Sequence, residues 1–206
     1  MAQFLVAALI AAGAASVQVQ STPSVPVQPF VDSPEQRRDL RNLSACLAEA
    51  RPRWARQTLA QPYLSEEQAT LVARALTGTD TCLRGRDAAY TFRTSTMVGS
   101  LAEHFLRAEV GRADFARVTT ALATMRPSNS SEDFALCVAA RAPGAARDLA
   151  LSEPGTPAET QASRQVSAFV DDCVDPGERL TVDMQSLRSL LSTVLYRGTV
   201  VSLATN

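Results

Sequence analysis

Four cysteines are the residues whose spacing says most about chemistry. Cys46 and Cys82 stand 36 positions apart, and so do Cys137 and Cys173. Zinc usually takes cysteines in close pairs, about two to four residues apart. No such pair is present, and there is no Cys-x-x-Cys of the kind that tunes a thiol for redox work. The pattern predicts disulfides rather than a metal site. Three pairings are open to four cysteines. The repeated separation favours Cys46–Cys82 and Cys137–Cys173, because each bridge then closes a segment of its own.

His104 is the only side chain that would titrate near neutrality unperturbed. It is a candidate base, with Glu103 and Glu109 close by in sequence. Its setting in a helical apolar pattern favours a packed residue instead. Asp171, Asp172, Asp175, Glu178 and Asp183 cluster around Cys173. Carboxylates bind calcium, but the order D-x-[DN]-x-[DN]-G is missing, so a solvated turn is expected. Arg51, Arg53 and Arg56 flank Trp54. Arginine beside an exposed indole suits a protein partner or an anionic polymer, which makes these four the candidate partner-binding residues.

Composition excludes much else. All 20 basic residues are arginine. Without lysine there is no Schiff base, no Ser–Lys dyad and no phosphate loop of the GK[ST] type. A single histidine excludes HExxH and multi-histidine metal sites. No G-x-S-x-G or G-x-G-x-x-G occurs, so no cofactor is expected. Net charge is −1, which argues against a nucleic-acid partner. Residues 34–110 carry 11 arginines against 9 acids, and residues 131–200 carry 6 against 10. Such an imbalance is ordinary surface. The lysine-free, Ala- and Arg-rich composition points to high-GC bacterial coding.

The elements that position these residues are helical. Residues 4–15 form an apolar run of about 12, too short to span a bilayer as a helix. Ala12-Gly13-Ala14 follows the A-x-A cleavage pattern, although Met1-Ala2-Gln3 lacks a basic residue. Residues 1–16 are therefore expected to be a signal peptide, with no transmembrane segment after cleavage. Residues 17–33, with Pro23, Pro26 and Pro29, read as a Pro-rich disordered arm.

The rest reads as a tandem duplication. Offsetting the chain by 91 matches Cys46 with Cys137, Cys82 with Cys173, Pro52 with Pro143, Arg56 with Arg147 and Asp80 with Asp171. Ser65–Gln68 and Thr156–Glu159 are capping boxes in register. At offset 90, Met97, Leu101, Phe105 and Arg107 meet Leu187, Leu191, Leu195 and Arg197. The fold expected is all-α: two four-helix modules, 34–110 and 131–206, each closed by one disulfide. A connecting helix and turn fill 111–130. Within the modules, helices are expected at about 34–50, 66–76 and 92–109, and at about 131–141, 157–170 and 183–198. Short helices start at Pro52 and Pro143.

These readings describe an exported helical protein with a binding or scaffolding role in the bacterial cell envelope. Its partner would be an unknown envelope component or protein. The alternative is a periplasmic enzyme using His104 or carboxylates. A third is an oligomeric envelope component tethered by the Pro-rich arm.

Overall fold

Proline sets the rhythm of the chain. In the computed structural model, which describes residues 33–76, 82, 93–109, 114–174 and 182–205, four helices open on a proline. They are α1 (Pro34–Ala50), α2 (Pro52–Ala60), α7 (Pro143–Leu151) and α8 (Pro157–Ser167). Proline suits the first helical position because its missing N–H would have no partner there. The residues before Pro52 and Pro143 leave the helical region, at φ −137° and −131°, so α1 and the helix before α7 must end. The others are α3 (Glu66–Leu76), α4 (Thr94–Glu109), α5 (Phe115–Thr124), α6 (Ser130–Arg141) and α9 (Met184–Ala204). A 3₁₀ turn spans Asp171–Cys173. The described residues contain no strand. The expected signal peptide and nearly all of the Pro-rich arm lie outside the described residues.

Both expected disulfides are formed. Cys46–Cys82 and Cys137–Cys173 have Cα–Cα distances of 5.8 and 5.7 Å. One ties α1 to the segment before α4. The other ties α6 to the 3₁₀ turn.

Boundaries shift where tertiary contacts decide. Asn129, not Ser130, caps α6, its side chain accepting from the Glu132 amide. Helix α8 stops at Ser167 rather than near 170. Helix α9 runs six residues past the expected end at Gly198. That glycine sits inside the helix because a Cβ there would approach Leu122 Cδ2 to 2.9 Å. It marks where α5 leans on α9.

Apolar residues recur at helical spacing and face inward: Leu40, Leu43 and Leu47 on α1, Leu187, Leu191 and Leu195 on α9. Together with Leu59, Leu101, Val118, Leu149 and Val166 they belong to one continuous core shared by α1–α9. Burying each leucine contributes about 1.5–3 kcal/mol. The most extensive packing is between α4 and α9. At their crossing a Cβ on Gly99 would lie 2.4 Å from the Ser189 Cα. Glycine is required there by close backbone approach. Gly99→Ala is expected to destabilise by about 2 kcal/mol through overpacking, despite alanine's better helix propensity. An unchanged urea midpoint would show that the two helices have room to spare.

A turn precedes α3 and α8 in the same way. Leu64 and Gly155 both have positive φ, 62° and 79°. They are 91 residues apart, each two positions before the helix start. The sequence predicts that the N3 side chain returns to the N-cap amide. That holds for α1, where Gln36 accepts from the Ser33 amide. In α3 and α8 it reaches one residue further: Gln68 accepts from the Leu64 amide at 2.8 Å and Glu159 from the Gly155 amide at 2.7 Å. Left-handed backbone turns that N–H toward the helix, which explains the change. A leucine in this region is strained by roughly 1–2 kcal/mol, and Leu64 is 52 % exposed. Leu64→Gly is therefore expected to stabilise by about 1 kcal/mol. Gly155→Ala should do the reverse, because its Cβ would meet Pro34 Cβ at 2.7 Å. Urea midpoints moving in opposite directions check both.

Candidate functional site

The densest chemistry in the described residues is a buried row of charges. Arg188 on α9 is only 2 % exposed and is placed among leucines. Its Nε and Nη2 donate to the two oxygens of Glu103 at 2.7 and 2.9 Å, a bidentate pair with α4. Nη1 donates to Glu159 Oε1 at 2.8 Å and to Ser152 Oγ at 3.1 Å. Nη2 also donates to the carbonyls of Ser152 and Ala150, at 2.7 and 3.3 Å, at the end of α7. All five guanidinium donors are thus engaged. Arg37 on α1 grips Glu159 bidentately, its Nη1 2.5 Å from Oε1, the oxygen shared with Arg188, and its Nη2 3.0 Å from Oε2. Arg107 adds a 3.5 Å contact to Glu103, one turn along α4. The row reads Arg37–Glu159–Arg188–Glu103–Arg107, alternating in sign, and it joins α1, α8, α9 and α4.

A second buried cluster, around Glu132, lies elsewhere. Glu132 on α6 accepts from the amides of Tyr63 and Ser128 at 2.7 and 2.8 Å, and from Arg197 Nη1 at 2.5 Å. Arg197 Nε and Nη2 donate to the carbonyls of Leu59 and Gln61, which end α2.

Burial pushes the Glu159 carboxyl up, but the bonds from Arg37 and the Gly155 amide and the charges of Arg188 and Arg37 outweigh it. The net result lies below the ordinary carboxylate value. Glu132 is likewise pushed up by burial and pulled further down by its two amide donors and Arg197. Burial works against the charge on Arg188, and Glu103 and Glu159 more than compensate. Such groups stay ionised and fully bonded. They hold helices together and offer no free acid or base for catalysis.

The candidate partner-binding residues stand around the start of α2. Trp54 is half-buried and its Nε1 donates to the Leu71 carbonyl at 2.9 Å, which turns the indole onto α3. Arg56 turns the other way. Its guanidinium lies 4.6 Å over the Phe105 ring, 3.1 Å from Glu109 Oε1 and 3.3 Å from the Tyr196 hydroxyl. Arg53 is exposed and Arg51 half-buried. Trp54 and Arg56, two positions apart on α2, are thus drawn to different neighbours.

His104 is half-buried, its ring edge-on to Phe105 with centroids 5.2 Å apart. Among the described residues no hydrogen bond or ion pair engages its ring. Of the acids near Cys173, Asp172 pairs with Arg141 at 3.2 Å, and Asp183 caps α9 and pairs with Arg93 at 3.1 Å. Asp175 and Glu178 lie outside the described residues. The described residues hold no cluster of metal ligands. Shallow grooves run along α3 and α8. Glu66, Thr70 and Arg74 line the first; Pro157, Gln161 and Gln165, each 91 positions on, line the second.

Arg188, Glu159, Glu132 and Arg37 carry no catalytic signature in the sequence. One signal did exist. Arg188 interrupts the apolar stripe Leu187, Leu190, Leu191, Val194, Leu195, and an arginine inside such a stripe requires a buried partner. No described helix is long and apolar enough to cross a membrane. Compared with protein-family models, with curated proteins and with solved structures, the chain matches none of them.

Proposed function

We propose that the chain is exported, that residues 1–16 are its signal, and that the stapled helical protein binds or scaffolds a partner in the bacterial cell envelope. The observation that carries this is the pair of disulfides, Cys46–Cys82 and Cys137–Cys173. Disulfides persist in oxidising compartments such as the periplasm and are rare where glutathione keeps thiols reduced. The ionic rows support a structural protein, because every engaged carboxylate is committed to an arginine. Partner contact then falls to exposed surface such as Arg53 and the grooves of α3 and α8.

The same proposal includes the origin of the fold. Helices α1–α4 and α6–α9 would be two copies of one module. Support comes from the matched cysteines and prolines, the positive-φ turns at Leu64 and Gly155, and the matched grooves.

The test is expression of the full chain in a bacterial host, followed by osmotic shock and mass spectrometry. The expected product is periplasmic, about 16 residues shorter than the full chain, with no alkylatable thiol before reduction. Full-length cytoplasmic protein carrying four free thiols would overturn the export reading.

A further inference from the structure

Several contacts between the two sets of helices come in exchanged pairs, although the Arg188–Glu103 and Arg37–Glu159 bonds do not. Arg107 on α4 donates to the Leu151 carbonyl at the end of α7, at 3.2 Å. Arg197, its counterpart at offset 90, donates to the Leu59 and Gln61 carbonyls at the end of α2. Arg38 on α1 donates to the Pro154 carbonyl at 3.1 Å. Asn129, which caps α6 at offset 91 from Arg38, donates to the Tyr63 carbonyl at 2.7 Å, and Tyr63 is the counterpart of Pro154. The α4–α9 crossing falls on Gly99 and Ser189, themselves counterparts at offset 90. In each case the first half gives to the second what the second gives to the first. Contact of i with j repaid as contact of j with i is the mark of an isologous, two-fold interface.

We propose that the two halves are a self-complementary pair joined in one chain. Each half presents one interaction surface, and the partner it fits is the opposite half, from this chain or from a second copy. Both disulfides lie within halves, so only the backbone between α4 and α6 links them covalently. The two-fold form rests on the duplication proposed above; the clasp itself rests on the contacts.

The experiment inserts a specific protease sequence between the exposed Arg126 and Pro127 of the full chain. After cutting, the pieces are expected to elute together at the mass of the uncut protein, with an unchanged helical spectrum. The cut protein, tagged on the first piece, is then unfolded without reductant beside isotopically heavy, untagged cut protein and refolded. The tag is expected to capture light and heavy second pieces in their mixing ratio. Arg107→Ala and Arg197→Ala should each weaken capture on the order of tenfold, because each strands buried carbonyls across the interface. Pieces that separate on cutting overturn the proposal. So does capture that neither arginine variant weakens, since that is undirected apolar association. A duplication would survive both results, which keeps the two failures apart.

Discussion

Replacing Arg188 by methionine is expected to lower folding stability by about 3–5 kcal/mol. The guanidinium is buried between two carboxylates, and its removal leaves Glu103 with only the longer contact to Arg107. Ser152 and Ala150 also lose a donor to their carbonyls. Burying a charge without a full partner is the largest single penalty available in this core. The double variant R188M/E103L should recover a good part of the loss, because apolar replacement of a whole buried pair is often near neutral. Glu159 keeps Arg37 and the Gly155 amide in that variant. Urea unfolding at neutral pH measures both. A single variant within 1 kcal/mol of the parent, on the scale of an exposed pair, would show that water reaches the row.

The buried carboxylates of this row and of the Glu132 cluster set the response to acid. Glu132 and Glu159 are held below the ordinary carboxylate value in the folded protein. A group whose folded value is depressed adds stability that is complete above its unfolded value. That stability is lost as the pH falls through the unfolded value and on to the folded one. The parent protein should therefore lose stability as the pH drops below the carboxylate range, and R188M should lose less, having one cation fewer beside Glu159.

The second large effect concerns the bridges. Replacing both cysteines of either pair by alanine is expected to lower stability by roughly 4 kcal/mol, from the loop entropy that a 36-residue separation restores to the unfolded chain. For a domain of this size that is a drop in melting temperature on the order of 10 °C. The two effects should add, because the bridges lie in different halves and share no partner. Calorimetry of C46A/C82A, C137A/C173A and the quadruple variant tests this. A quadruple variant no worse than either double would mean that one bridge does the work of both.

Local chemistry was legible in the chain. Ser33, Ser65 and Thr156 announce helix starts because a hydroxyl accepts from an amide two or three residues on, whatever lies beyond. Pro52 and Pro143 announce breaks because the ring constrains the residue before it. The cysteine pairing followed from a repeated separation. The ends of α6, α8 and α9 were less legible. Helix α9 was expected to end near 198, yet it runs on through Gly198, the position where α5 needs room. The N3 side chains of α3 and α8 could be assigned a reach only once the positive φ of Leu64 and Gly155 was seen.

The candidate surface shows the same division. The spacing of Arg51, Arg53, Trp54 and Arg56 was visible, but their directions depended on α3, α4 and α9. Leu71 draws the indole one way, and Glu109 with Phe105 draws Arg56 the other. The sequence by itself determined what covalent geometry and nearest neighbours control: helix class, caps, breaks and the staples. Which arginine is buried, which carboxylates receive it, and how α4 packs on α9 depend on the tertiary structure. The reason is range. Caps and proline restraints act across a few residues, whereas Arg188 meets Glu103 across a sequence separation of 85, after the core has closed around both.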